Sequence, residues 1–300
     1  MENLCCFVNS RGILKSCDFH SNNPKSSCND DKDYLFEMLN RMFDGMSIYV
    51  CSDLLNFFVT DILRKINKQF VLVSGDSDLC VPKEILNLCE TNTLLNSPYL
   101  IKWFLQNTQI QHNSKMVQMP IGLDYHTISN NPDHSWKIPN ESHLPGAQEL
   151  ILVNIQEKSR PFYDRIPKIY VNFSKTNDRF KDRVNSINSI PNKLMIFNET
   201  FTKRTVNWNL MTKYAFVLSP FGNGMDCHRT WEALCLGCIP IVCAPNFTKL
   251  FENLPVLNVN DWKEVTEELL MATIIKFKHL TFNLDKLLLS NWVKKIKNTK

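Results

Sequence analysis

This 300-residue sequence has no long apolar run, no surplus of one charge, no cysteine framework and no internal repeat, and each absence removes a class of protein. No window approaches the roughly 18 apolar residues that a spanning helix needs. The amino end, MENLCCFVNSRGILKSCDFH, has no basic stretch leading into an apolar one, so the chain is expected to be soluble and cytoplasmic. The formal net charge is only +4, with bases and acids interspersed, which leaves no basic face for nucleic acid. Eleven cysteines are scattered without bridge-like spacing, and an odd number suits reduced thiols in the cytosol. Cys235 and Cys238 form a C-x-x-C, but no second pair completes a zinc site, so they read as a helix end and a strand start. A dehydrogenase would open with G-x-G-x-x-G in its first βα turn and an acid about 20 residues later, and this chain has no such opening.

What is present is an alternation of short apolar runs and amphipathic stretches, which predicts an α/β chain. The first half reads as an edge strand at 4–8, a polar loop to 33, helices at 34–43 and 54–66, and strands at 47–50 and 70–73. Residues 93–106 read as a helix-like aromatic stretch, 130–146 as a surface loop and 148–156 as a helix. A second α/β unit opens with a strand at 169–173 and a helix through Val184 and Ile187. Strands follow at 194–197, 215–218, 239–243 and 256–259, with helices at 226–234, 261–275 and 284–296. Three hundred residues suit two units, placed here at 1–160 and 161–300.

The densest chemistry lies in 213–243, KYAFVLSPFGNGMDCHRTWEALCLGCIPIVC, which reads strand, glycine turn, helix, strand. In a right-handed βαβ unit the ligand sits at the carboxyl ends of the strands, so the turn Gly222-Asn223-Gly224 lines a site. Glycines there let backbone approach an anion that the helix start also attracts. Arg229 and Glu232, three apart, share a helix face. Arg229 offers a forked cation to phosphate and Glu232 accepts hydrogen bonds from ribose hydroxyls, unless the two form a solvated salt bridge. Gly222-x-Gly224 alone is a short pattern, and Cys227 stands where a dinucleotide fingerprint has its third glycine.

Ser219-Pro220, then Arg229-Thr230-Trp231-Glu232-Ala233-Leu234, then Gly237-Cys238-Ile239-Pro240-Ile241-Val242 resembles the donor-site motif of exostosin-like glycosyltransferases. The resemblance implies a GT-B-like fold, two Rossmann-like domains facing across a cleft. The second would bind a nucleotide-sugar donor and the first a glycan, protein or small-molecule acceptor. It implies transfer to an acceptor hydroxyl, inverting and independent of metal, with the nucleotide sugar as co-substrate and no other cofactor. Residue by residue it carries over Arg229, Glu232 and the Gly237-Cys238 turn. The polar insert 221–228 is longer than the family's. Strand-end geometry adds Ser219, Gly222, Asn223 and Gly224 as donor-binding residues. Lys175 and Arg179, which with Arg183 crowd the loop after 169–173, join them, because in GT-B proteins that loop lies across the cleft from the glycine turn.

A base must then come from the first unit. Asp76, Asp124 and His126 follow apolar strands or glycine turns and are the candidates, whereas Asp30, Asp31 and Asp33 lie in a polar loop. Asp124 and His126 point to one side of an extended backbone, placing a carboxylate beside an imidazole. Asp76-Ser77-Asp78 leaves a rival open, since a D-x-D at a strand end can hold a divalent ion against a diphosphate, as in GT-A enzymes. A non-catalytic nucleotide- or sugar-binding protein is the other alternative.

Overall fold

Burial on both faces, which parallel packing imposes, explains why the strands read as unbroken apolar runs. A computed structural model of the chain describes residues 1–21, 32–108, 113–176, 178–198 and 200–299. In it β1 (Met46–Cys51) and β2 (Phe70–Gly75) are buried at every position. With β3 (Leu100–Leu105) and β4 (Met116–Gln118) they form a four-stranded sheet of order β1-β2-β3-β4, parallel throughout. The second sheet comprises β5 (Ile166–Val171), β6 (Met195–Phe197), β7 (Tyr214–Leu218), β8 (Ile239–Val242) and β9 (Leu257–Asn258), again parallel. Its order, β6-β5-β7-β8-β9, reverses between β5 and β7. Ligands of doubly wound sheets lie at the carboxyl side of such a switch.

Both sheets turn their carboxyl ends toward one another. The Ile121 N–H, beyond β4, donates to Asp226 beyond β7 at 2.7 Å, and the Asp226 N–H donates to Asn107 beyond β3 at 2.9 Å. The molecule is therefore two Rossmann-like units facing across a cleft. One apolar cluster lies within each unit, and a third joins Val73 and Phe104 of the first to Trp231 and Val217 of the second.

Near its end the chain returns to the first unit. Lys286 donates to the carbonyls of Lys249, Leu250 and Glu252 in the second unit, while Leu287 beside it accepts from the Val8 N–H at 2.8 Å. The helix Leu289–Asn298 then buries Leu289, Trp292 and Ile296 in the shared cluster with Ile13 and Leu14 of the helix Ser10–Ser16, and Lys297 pairs with Asp18.

Several local expectations fail for physical reasons. Residues 93–106 divide into the helix Leu88–Leu95 and strand β3, because Asn96-Ser97-Pro98 interrupts the helix and the run after it, apolar but for Lys102, is a mostly buried strand. No strand spans 4–8; a 3₁₀ turn covers Glu2–Leu4, and Phe7 and Asn9 make only isolated bridges. The stretch 54–66 is helical but irregular, with a π turn at Phe58–Ile62. Gly237 takes φ +69 after the helix His228–Cys235, the left-handed geometry expected there. Asp30 and Asp31 lie outside the described residues. No helix among the described residues is long and apolar enough to cross a membrane.

Candidate active site

At the switch point, β5 runs out into Asn172-Phe173-Ser174 and β7 into Ser219-Pro220-Phe221-Gly222. Two guanidinium groups rest against the Phe173 ring, Arg229 at 4.9 Å and Arg183 at 5.6 Å from its centroid. Arg183 is positioned by the Ser174 carbonyl, 2.6 Å from Nη1, and by the Phe221 carbonyl, 3.3 Å from Nε. A Cβ on Gly222 would stand 2.5 Å from Arg183 Nη2, so the glycine makes room for this arginine. Asp182 fixes the turn from beneath, accepting from the Phe221 N–H at 2.9 Å and from Trp262 Nε1 at 2.6 Å.

Arg229 has a buried Nη1 with no hydrogen-bond partner among the described residues. Burial pulls its pKa down to about 10, the Arg183 charge adding to the effect while Cys227 and Glu232 oppose it. Two neighbouring cations with spare N–H groups favour an anion between them. The carboxylate of Glu232, one turn along the same helix, has no hydrogen bond or ion pair among the described residues, so it does not form the salt bridge with Arg229 that the spacing allowed. Its acceptor capacity is unspent.

The other expected donor residues fare differently. The Ser219 hydroxyl is buried against the Thr230 hydroxyl at 2.9 Å and is taken up inside the unit. Lys175 is exposed, and Arg179 pairs with Glu84 of the first unit across the cleft mouth. Arg183, read from sequence only as part of a charge cluster, is the cation that reaches the turn. Asn223 sits beside Asp78, and a Cβ on Gly224 would lie 3.0 Å from Asn107 Nδ2. The glycine turn therefore admits the opposite wall of the cleft and Arg183, a use of glycine that the anion argument did not anticipate.

On the first unit, Asp76 adopts φ +64 and pairs with the buried Arg11 at 3.1 Å. Ser77 donates to Asp53 at 2.7 Å. Burial raises the Asp78 carboxyl above its ordinary range, against the pull of His228, Arg179 and Asn223. The two acids of the D-x-D thus have separate partners. Asp124 Oδ1 lies 3.2 Å from His126 Nδ1 and accepts from the Thr127 N–H at 2.9 Å. Burial works against the Asp124 charge, but His126, His228, Arg204 and the Thr127 N–H hold it well below the usual carboxylate range. Burial also lowers His126, assisted by His228 and Arg11 and resisted by Asp124. Burial thus favours the neutral ring, the form that can take a proton.

Two groups went unread. His228, at the first position of its helix, contacts the Gly122 carbonyl at 2.7 Å and lies 6.1 Å from His126, ring to ring. Asp226 accepts from Trp231 Nε1 at 2.8 Å as well as from Ile121, and burial pushes its carboxyl up to about 6 against those hydrogen bonds. The Asp–His–Arg content of 221–229 was visible in sequence. The first-unit partners of Asp226 and His228, which are Asn107, Ile121 and Gly122, lie over a hundred residues away.

No protein-family model and no curated protein matches this sequence. Among solved structures, it is similar to one described as trehalose-6-phosphate from E. coli bound with UDP-2-fluoro glucose, at 10% identity and TM-score 0.37, covering 89% of this chain and 73% of that one. The OtsA apo structure matches at 11% identity and TM-score 0.36, covering 88% of this chain and 71% of that one. The N-terminal domain of Candida albicans trehalose-6-phosphate phosphatase matches at 11% identity and TM-score 0.36, covering 89% of this chain and 70% of that one. Likenesses this loose carry no argument about chemistry, which rests on the residues above.

Proposed function

We propose that this chain is a GT-B glycosyltransferase of the exostosin-like kind, passing a sugar from a nucleotide-diphosphate donor to an acceptor hydroxyl with inversion and without a metal ion. The observation that carries the reading is Arg229, a buried cation with an unpartnered Nη1 beside Arg183, at the carboxyl side of the sheet's switch point. The donor diphosphate lies against these two guanidinium groups, and Glu232 accepts from the ribose hydroxyls. An acceptor oxygen from the first unit bonds to the anomeric carbon as the bond from that carbon to phosphate oxygen breaks. The acceptor proton passes to His126, which Asp124 orients, and the charge left on the diphosphate is met by Arg183 and Arg229. Asp76 is set aside as base because its charge answers Arg11.

Calorimetric titration with nucleoside diphosphates tests the donor site. Arg229→Ala is expected to weaken binding at least about 30-fold, roughly the 2 kcal/mol of one charge-assisted hydrogen bond. Glu232→Gln is expected to weaken it by about tenfold with little change in melting temperature, since the Glu232 carboxylate has no hydrogen bond or ion pair to lose among the described residues. Equal affinity in both variants and the parent would remove the donor from this crevice.

A further inference from the structure

A groove of about 660 Å³ opens at the other end of the second sheet, by the amino ends of β5 and β7, and takes no part in the site above. It lies along the connection between the units, under the helix Pro145–Glu157. Ile151, Ile155 and Ile166 give it an apolar wall. Lys158, Arg160 and Lys213 line it, and none of the three forms an ion pair among the described residues. Asp164 is the one acid among the lining residues.

A fourth cation makes this more than a solvated face. Arg165, 9% exposed, donates to the Arg160 carbonyl at 2.6 Å, the Leu236 carbonyl at 2.9 Å and Cys238 Sγ at 3.1 Å. Those partners are neutral, so its hydrogen bonds are met while its charge has no carboxylate within ion-pair distance among the described residues. A buried charge without a counter-ion is costly, and an anion in the groove supplies one.

We propose that this groove is a second ligand site, taking a small organic phosphate, with the phosphate among Lys158, Arg160, Lys213 and Arg165 and the organic part along the isoleucine wall. The volume is within the range of small-molecule sites. Because the groove borders residues 158–165, which join the two units, its occupant would brace the connection between them. The site stands independently of the donor reading.

The test is a titration of inorganic pyrophosphate at low salt into the intact chain, Arg229→Ala and Lys158→Glu/Arg160→Glu. The two sites separate because each variant weakens one of them and leaves the other untouched. Arg229→Ala is expected to keep a pyrophosphate-binding event, and the double charge reversal to weaken that event at least about tenfold when added to Arg229→Ala. The event should also weaken steeply with salt. Lys158→Gln/Arg160→Gln, which only neutralises two exposed side chains, gives the same reading should the reversal disturb folding. No binding in Arg229→Ala, or binding that survives both double variants unchanged, overturns the proposal.

Discussion

Asp226 shows how far one side chain's role can depend on burial. Its carboxyl, pushed up to about 6, has a folded pKa above the 3.8 of an unfolded chain, so protonation favours the native state. Its contribution is complete below about pH 4 and is lost as pH rises through about 6, on the order of 3 kcal/mol for a shift of this size. Urea unfolding at pH 4 to 7 should show that loss in the parent and not in Asp226→Asn, which stays neutral throughout. Parallel curves for the two proteins would mean that Asp226 does not titrate in this window. The base separates on similar lines. His126→Ala is expected to lower turnover by ~10² to 10⁴ while leaving donor affinity alone. Asp76→Asn is expected instead to destabilise the fold by about 3 to 5 kcal/mol, since it strands Arg11 as a buried charge. Near-normal turnover in His126→Ala would return Asp76 to candidacy. Sequence placed Asp124 beside His126 through their spacing, and it placed Arg229 and Glu232 on one face. It could not show that Arg11 neutralises Asp76, because that pair joins residues 65 apart through the tertiary fold.

Elements were legible where period and punctuation agreed. The strand read at 215–218 is Tyr214–Leu218 and that at 70–73 is Phe70–Gly75, each an apolar run stopped by a turn. Residues 93–106 were not, because a buried parallel strand has no alternation to distinguish it from a buried helix. The closing helix Leu289–Asn298 was read as a helix, but nothing in its amphipathic pattern says which surface receives it. It is received by the first unit, where Leu289, Trp292 and Ile296 are buried in one cluster with Ile13 and Leu14, Trp292 being 2% exposed. Trp292→Ala should therefore cost roughly 3 to 5 kcal/mol in chemical denaturation. A cost below about 1 kcal/mol would show that this helix does not dock in solution.

At the scale of the whole molecule the two-sheet layout followed from the alternation of elements and from the resemblance, while the closeness of the units did not. Proteins of two α/β units commonly melt in steps, each unit with a core of its own. Here Val73, Phe104, Val217 and Trp231 share one cluster, and Lys286 and Leu287, adjacent in sequence, are tied to opposite units. Neither half can lose its packing without exposing the other's, so heat should undo both together. Scanning calorimetry is expected to give a single peak whose calorimetric and van't Hoff enthalpies agree. Two resolved peaks would mean that the shared cluster is too weak to couple them. A chain that crosses twice between its halves and packs them on common side chains is expected to store its stability in the seam as much as in either sheet, so a cavity cut at Trp231 or Phe104 should lower the one melting temperature of both halves together.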